Sequence, residues 1–210
     1  FLFVGGWVDF VMLSKEIFDL VKYKYGHYAS WAVWSDEGEK PKDNIGDISI
    51  LDPDANPHLL EDLNPNIVIV GLNIGAKIQK PLANFHSPNH RALDFKLRFS
   101  FKKTPLWGSY MTDIIKDFEQ KISGKVINYL SANKQFEKDN VDIFREELFD
   151  LGSNNPKLVS CGGAVHSILK RNFNNEFQIY RIPHYSHFIS KENYKKEVDA
   201  MLMELVNCVS

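Results

Sequence analysis

The feature that most constrains the fold is an unbroken apolar run, Ile67-Val68-Ile69-Val70. A strand with one solvated face alternates apolar and polar residues, whereas a run without alternation is typical of a strand buried on both faces. Such strands occur in parallel sheets that helices cover on both sides. Turn residues, Asn64-Pro65-Asn66, precede the run, and Gly71-Leu72-Asn73-Ile74-Gly75 follows it. We therefore predict a central strand over 67–70 in an α/β fold.

Two further strand–helix units follow in the second half of the chain. Lys157–Cys161 is a predicted strand that ends at Gly162-Gly163, before a helix over 164–171. Gln178–Ile182 is a predicted strand that ends at Pro183, before a final helix that Ser190 caps. Strands that alternate with helices favour a parallel sheet. We expect the segments 67–70, 158–161 and 179–182 to share one sheet and to run parallel.

Three shorter segments complete the prediction. Ser14 caps a helix that stops at Gly26, and Ile48–Leu51 is predicted as a short strand. The aromatic segment Tyr28–Trp34 is a strand or a folded-back loop, which packs either as core or as a lid over a pocket. No linker or repeat divides the 210 residues, so we expect one domain over 1–210.

Composition excludes several classes of protein. Two cysteines cannot form a disulfide framework or a four-cysteine iron–sulfur site. No apolar run is long enough to span a bilayer, and Phe1–Leu13 lacks the basic region of a signal peptide. We expect a cytoplasmic protein in which residues 1–13 are either an artificially added segment or a natural upstream one, and Met12 is a candidate native start. The net charge of −2 gives no global support for nucleic-acid binding, so any such role requires a local basic patch.

Ligands of parallel α/β sheets bind beyond the carboxyl ends of the strands, and three segments stand at predicted ends. The first is 71–75, where two glycines allow close backbone approach and Asn73 offers an amide that donates and accepts. The second is Phe85–Arg91, where Phe85 is able to stack on a planar ring. The third is Pro183–Phe188, where His184 directly follows a strand and is able to donate to a developing anion.

Together these three segments resemble the uracil-DNA glycosylase superfamily, most closely its mismatch-specific branch. That branch has Gly-Ile-Asn-Pro-Gly after its first buried strand, as 71–75 has Gly-Leu-Asn-Ile-Gly. Its downstream segment, of the form His-Phe-Ala-x-Pro-x-Asn-Arg-Phe-Trp, is similar to FHSPNHRALDF at 85–95. Its second motif, Asn/His-Pro-Ser, is similar to His184-Tyr185-Ser186. LVSCGGAVHSILKR at 158–171 resembles the family's strand–glycine–helix unit, so the likeness extends from about Asn66 to the C-terminus.

The resemblance implies a three-layer α/β/α sandwich around a central, mainly parallel, four-stranded sheet. It implies a DNA N-glycosylase that flips a damaged or mismatched base, uracil or a related one, into a pocket and hydrolyses its N-glycosidic bond. The implied catalytic residues are Asn73, which holds a water below the sugar C1′, and His184, which stabilises the base anion. The implied base-binding residues are Gly71, Leu72, Gly75, Phe85 and Ser186.

The implied DNA-binding residues are Arg91, Tyr185, His187 and Lys191. Arg91 opens a stretch to Lys103 that is rich in Lys and Arg, and further basic residues flank His184; such side chains are able to contact phosphates. We expect a duplex with a damaged or mismatched base as partner, a monomer, and neither cofactor nor metal ion.

Two other functions fit the same residues. One is a metal-dependent hydrolase that uses His86, His90, His184 and His187, although no predicted helix carries them and no carboxylate adjoins them. The other is a weak or inactive binder of nucleotide or DNA with the same fold. The acidic charge balance favours the binder, as do Ile74 and Tyr185, which stand where the family motifs have proline.

Overall fold

The computed structural model describes residues 13–207 and is built around one five-stranded sheet with the order β1-β3-β2-β4-β5. Residues 1–12, with the candidate start Met12, lie outside the described residues. The strands are β1 (Ser30–Trp31), β2 (Asn64–Asn73), β3 (Ser109–Ile115), β4 (Lys157–Cys161) and β5 (Ile179–Ile182). The helices are α1 (Lys15–Tyr25), α2 (Leu59–Asp62), α3 (Phe95–Phe101), α4 (Ser123–Ala132), α5 (Lys134–Asp150), α6 (Gly163–Phe173) and α7 (Lys191–Asn207).

Four of the five strands run parallel. β2 pairs with β3 and with β4, and β4 pairs with β5, so the segments predicted at 67–70, 158–161 and 179–182 do share one sheet. Val68 lies opposite Leu158, and Leu158 lies opposite Ile179. The predicted parallel core is confirmed, and the carboxyl ends of all four strands lie at one edge of the sheet.

The predicted count of four strands is wrong, because the sheet has five; as predicted, it is mainly parallel. Its extra member, β1, is a two-residue edge strand that pairs antiparallel with β3. β3 itself was not predicted: all seven of its residues are buried, yet Ser109, Thr112 and Asp113 interrupt its apolar pattern. Polar residues in a fully buried strand hide the usual sequence signal.

The prediction of a strand at Ile48–Leu51 is also wrong. Residues 49–51 form a short 3-10 helix, in which Leu51 and Asp52 donate to carbonyls three residues earlier. The Asp47 carboxylate accepts from the Ser49 N–H and from its hydroxyl. Such local side-chain bonds compete with strand pairing, which explains the outcome.

Both faces of the central strand are buried under helices, as its unbroken apolar run predicted. Val68 and Val70 pack with residues of α1, α4, α5 and α6 in one hydrophobic cluster. Ile67 and Ile69 pack with residues of α3 and α7 in a second cluster on the opposite face. No helix described in 13–207 is long and apolar enough to cross a membrane.

The aromatic segment Tyr28–Trp34 contributes to the core. Trp31 is fully buried, stacks on Phe18 and meets Tyr110 edge-on. Trp34 packs against the rings of Phe101 and Trp107 on the other face of the sheet. Of the two roles predicted for this segment, the structure supports core packing.

A buried ion pair joins β3 to α5. Lys116 Nζ lies 2.7 Å from Glu147 Oε2, and both side chains are almost wholly buried. Tyr110 and Thr112 donate their hydroxyls to Glu147 Oε1 at 2.7 and 2.8 Å. The carboxylate is thus fully hydrogen-bonded, the condition under which a buried charge is tolerated.

We expect Lys116→Met to lower the free energy of unfolding by about 3–5 kcal/mol, because it leaves the Glu147 carboxylate buried without its cation. The double variant Lys116→Met/Glu147→Leu should recover part of this loss, since it removes both charges but leaves the buried hydroxyls of Tyr110 and Thr112 without their acceptor. Urea denaturation gives the values. Lys102→Ala, which breaks the exposed pair with Asp36, is the control and should leave the free energy of unfolding nearly unchanged. A double variant as unstable as the single one would contradict this account.

Candidate functional site at the carboxyl edge of the sheet

A cleft of about 840 Å³ opens at the carboxyl edge of the sheet. Asn73 from the end of β2, Phe85 from the following loop and His184 from the segment after β5 all line it. The prediction that these three residues meet in one pocket is therefore confirmed. Leu72, Gly75 and Ser186 also line the cleft, whereas their roles in binding stay predictions.

Gly71 is required by a close approach inside the protein. A Cβ at this position would lie 2.1 Å from Asp113 Oδ1 and 3.1 Å from Phe85 Cζ, so no side chain fits. By contrast, a Cβ at Gly75 would make only an ordinary contact with Lys121. β2 also continues to Asn73 rather than ending at Val70, because Gly71 and Asn73 stay in register with Asp113 and Ile115 of β3.

The Asn73 amide has a fixed orientation. Its Nδ2 lies 2.9, 2.7 and 2.9 Å from the carbonyl oxygens of Ile74, Phe118 and Gln120. Only the NH₂ group of the amide fits beside three carbonyl oxygens, because the amide oxygen is an acceptor and would be repelled by them. Oδ1 accepts from no residue of the described chain, which leaves it able to accept from a ligand or a water.

The His184 ring also has a defined proton position. The backbone N–H of Ser186 donates to Nδ1 at 3.1 Å, and the Ser186 hydroxyl lies 2.7 Å from the same nitrogen. An N–H only donates, so Nδ1 is unprotonated and the neutral ring carries its hydrogen on Nε2. Burial lowers the pKa of His184 below its usual value, which favours this neutral form. The ring stacks on Tyr185 with centroids 4.5 Å apart.

Phe85 is held in an uncommon backbone conformation. Its φ is +62°, a left-handed value that is rare for a bulky residue and that often marks a functional site. Trp34 Nε1 donates to the Phe85 carbonyl, and Asn84 Oδ1 accepts from its N–H. The ring lies edge-on to Tyr185 at 6.2 Å. The loop thus fixes an aromatic wall of the cleft.

Asp113 at the end of β3 is a cleft residue that the sequence reasoning missed. Its side chain is 3% exposed, and Oδ2 accepts from Asn84 Nδ2 at 2.8 Å. Burial raises the pKa of this carboxyl to about 7, although Asn84 and Lys116 act in the opposite direction. The only sequence signal was a charged residue inside β3, which is informative only once that strand is recognised.

The turn after β4 forms the wall next to His184. Gly162 has φ +98°, and a Cβ there would lie 3.4 Å from His184 Cβ. Cys161, the last residue of β4, lines the cleft but is buried. Burial raises the pKa of its thiol to about 12, so it stays protonated and is a poor nucleophile.

The basic stretch predicted over Arg91–Lys103 largely serves the fold. Lys96 donates to the His187 carbonyl, and the Arg98 guanidinium donates to the carbonyls of Ser35 and Pro41. Both side chains are buried, and Lys102 pairs with Asp36. The prediction that Lys96 and Arg98 contact phosphates is corrected, because both side chains are buried and already donate to carbonyls. For Lys102, whose pair with Asp36 is exposed, it stays a prediction.

Of the four residues predicted to bind DNA, Tyr185 and His187 line the cleft and Arg91 and Lys191 lie outside its lining. Arg91 is exposed, and Lys191 Nζ lies over the Phe99 ring at 4.4 Å. The exposed cations Lys121 and Arg181 line the cleft instead. The roles of the four predicted residues in DNA binding stay predictions.

The four histidines of the alternative metal site do not gather. His86 is buried against Trp34, and its Nε2 lies 3.2 Å from the Trp31 carbonyl. His184 and His187 line the cleft, but His86 and His90 do not. Within residues 13–207 no three His, Cys, Asp or Glu side chains are placed to hold a metal ion.

We expect ¹⁵N NMR to show His184 as the Nε2–H tautomer at neutral pH, with a titration midpoint below about 6.5. Protonation of the neutral ring would place a hydrogen on Nδ1, where the Ser186 N–H already donates. This donor and the burial of the ring both oppose protonation. Ser186→Ala should keep the tautomer, because the backbone donor remains. A ring protonated on Nδ1 in either protein would contradict the assignment.

No family model, curated protein or solved structure matches the chain. The function of the cleft has to be inferred from its own residues.

Proposed function

We propose that the protein is a DNA glycosylase, which flips a damaged or mismatched base, uracil or a related one, into the cleft and hydrolyses its N-glycosidic bond. The observation that carries this proposal is the convergence of Asn73, Phe85 and His184 at one strand edge. We further propose that the sheet and its two helix layers correspond to the three-layer sandwich that the sequence resemblance implies. The parallel strands and the helices on both faces support that correspondence.

The electrostatics of the cleft suit the charge that develops in this reaction. Breaking the N-glycosidic bond places negative charge on the leaving base and positive charge on the sugar. His184 offers an Nε2–H donor on a neutral ring, and one preorganised donor to a developing anion is typically worth about 3–4 kcal/mol. In our proposal this donor meets a carbonyl oxygen of the base.

Asn73 supplies the acceptor for the attacking water. Because three carbonyls hold its NH₂ group, Oδ1 is presented without side-chain reorganisation. It orients a water towards the sugar C1′ in our proposal. A neutral amide is a weak base, so the water is positioned rather than deprotonated, and we expect slow turnover.

Phe188 is a further candidate for base flipping. Its side chain is fully exposed in the segment that follows His184, and it lines the mouth of the cleft. Proteins that distort duplexes insert apolar side chains between base steps. We propose that Phe188 fills the gap that the flipped base leaves.

DNA contact in this proposal relies on few cations. Arg181 and Lys121 line the mouth, while Arg91, Tyr185, His187 and Lys191 are the residues that the resemblance indicates. The exposed carboxylate of Glu197 opposes them at the same mouth. With a net charge of −2, we expect modest and salt-sensitive affinity for duplex DNA.

We expect Asn73→Ala to abolish most excision of uracil from a mismatched duplex while DNA binding stays nearly unchanged, because Asn73 faces the water and the sugar rather than phosphates. His184→Ala should lower the single-turnover rate roughly a hundredfold or more, the usual loss for such a donor. Gel-based excision assays and filter binding give the two readouts.

Urea denaturation is the control for both variants, since Asn73→Ala also removes the donor to three loop carbonyls. Full excision by a folded Asn73→Ala protein would show that the motif correspondence is wrong. A wild-type protein that binds duplexes but excises no base from uracil, hypoxanthine or mismatch substrates would favour the inactive binder.

We expect Phe188→Ala to lower excision from a duplex roughly tenfold and to change excision from a single strand much less. The reason is that only the duplex requires unstacking, which costs a few kcal/mol. Phe149→Ala is the matched control, because Phe149 is 83% exposed on α5 and does not line the cleft. Equal losses on both substrates would argue against a wedge.

A further inference from the structure

We propose that Asp113 reads the hydrogen-bonding edge of the base through Oδ1, donating when protonated and accepting when ionised. The cleft would then select bases with a carbonyl at that position, such as uracil, at low pH. It would select bases with an amino group there, such as cytosine, at high pH. This inference rests on the proposed function to the extent that a nucleobase enters the cleft.

The carboxyl is fixed by its neighbours. Asn84 Nδ2 donates to Asp113 Oδ2 at 2.8 Å and also lies 2.6 Å from the Tyr28 carbonyl. Asn84 Oδ1 accepts from the Phe85 N–H at 3.1 Å. The amide of Asn84 is therefore oriented by two backbone groups, and it directs one donor at Oδ2.

The other carboxyl oxygen, Oδ1, lies beside Gly71 and Phe85, which both line the cleft. Asp113 Oδ1 and Phe85 Cζ both lie within 3.1 Å of the position that a Cβ of Gly71 would occupy. Oδ1 is thus beside the aromatic wall on which a flipped base would stack. It accepts a hydrogen bond from no residue of the described region.

The same geometry determines which carboxyl oxygen of Asp113 carries the proton. Because Oδ2 accepts from an amide that has to donate, a protonated carboxyl is most stable with its hydrogen on Oδ1. In our proposal a ligand in the cleft meets a hydroxyl donor below the titration point and a bare acceptor above it. The two states differ at one atom of the cleft.

The groups around the carboxyl leave this equilibrium near neutrality. Burial raises the pKa of Asp113 to about 7, the Asn84 hydrogen bond and Lys116 lower it, and Glu147 raises it. Lys116 does not pair with the carboxyl, because its Nζ bonds to Glu147 and to the backbone oxygen of Asp113. The titratable groups that face Asp113 are Lys116 on its own segment, Glu147 from α5, Cys161 from β4 and Tyr185 from the loop after β5.

Complementarity at a single buried atom is enough to discriminate bases. A hydroxyl donor satisfies a carbonyl oxygen but opposes an amino group, and an ionised acceptor does the reverse. A site that leaves a buried polar group unpaired rejects the wrong ligand strongly. Uracil carries a carbonyl where cytosine carries an amino group, so this pair tests the proposal directly.

Asp113→Asn separates the two states. The new amide has to turn its oxygen towards the Asn84 donor, which points its NH₂ group at the cleft. That group only donates, at any pH. The variant should therefore resemble the protonated wild type throughout.

The experiment is an NMR titration of the protein with free uracil and free cytosine at about pH 5.5 and about pH 8.5, on either side of the transition. For the wild type we expect the ratio of the two dissociation constants to favour uracil at the lower pH and cytosine at the higher, a shift of about tenfold or more. Asp113→Asn should favour uracil at both values. Glu197→Gln, which alters an exposed carboxyl of the same cleft, is the matched control and should keep the shift.

The outcomes separate this inference from the proposed function. If the pH-dependent shift in base preference persists in Asp113→Asn, another group, such as His184, is its cause, and the role of Asp113 is overturned. An unchanging ratio in the wild type, or binding of neither base at millimolar concentration, would overturn it too. Bases bound with the expected shift but never excised from DNA would refute the glycosylase while the reading role of Asp113 stands.

Discussion

Parallel hydrogen bonding among β3, β2, β4 and β5 is the interaction on which the rest of the structure depends. Each strand returns to the same edge through a crossover that carries a helix, so all four carboxyl ends meet there. This is why Asn73, Asp113 and His184 share a cleft although each belongs to a different part of the chain. The cleft also depends on the absence of a side chain at Gly71, because this allows the Asp113 carboxyl and the Phe85 ring to pack directly against β2.

The polar groups of the cleft are oriented by backbone groups, directly for Asn73 and His184 and through the amide of Asn84 for Asp113. Three carbonyls hold the Asn73 amide, and the Ser186 N–H sets the tautomer of His184. Asn84, itself bound to two backbone groups, sets the carboxyl of Asp113. Backbone groups reorganise little, so the cleft presents an acceptor, a donor and a titratable carboxyl in fixed positions. Such preorganisation is what electrostatic catalysis and selective recognition require.

Charged side chains are paired or hydrogen-bonded in the core, whereas the cleft contains a carboxyl that has no paired cation. Lys116 and Glu147 form a closed, fully hydrogen-bonded pair, and Lys96 and Arg98 donate to carbonyls inside the fold. These cations make the sequence seem more basic around 91–103 than its surface is. The cleft instead holds a carboxyl without a paired cation, and burial is the main cause that raises the pKa of Asp113 to about 7. The contrast explains why this carboxyl is suited to respond to pH.

The sequence by itself determined the parallel core. An unbroken apolar run at 67–70 and two further strands, which end at Gly162 and at Pro183, are covered only in a buried α/β sheet. The ends of these strands indicated Asn73 and His184 as candidate site residues. Only the tertiary structure determined that residues 109–115 form the buried strand β3. Its polar residues Thr112 and Asp113 are tolerated there because Glu147 and Asn84, from distant segments, form hydrogen bonds with them. The tertiary structure also determined that Lys96 and Arg98 are buried. Hydrophobic periodicity is a local property, whereas the satisfaction of a buried polar group depends on partners that the fold brings near.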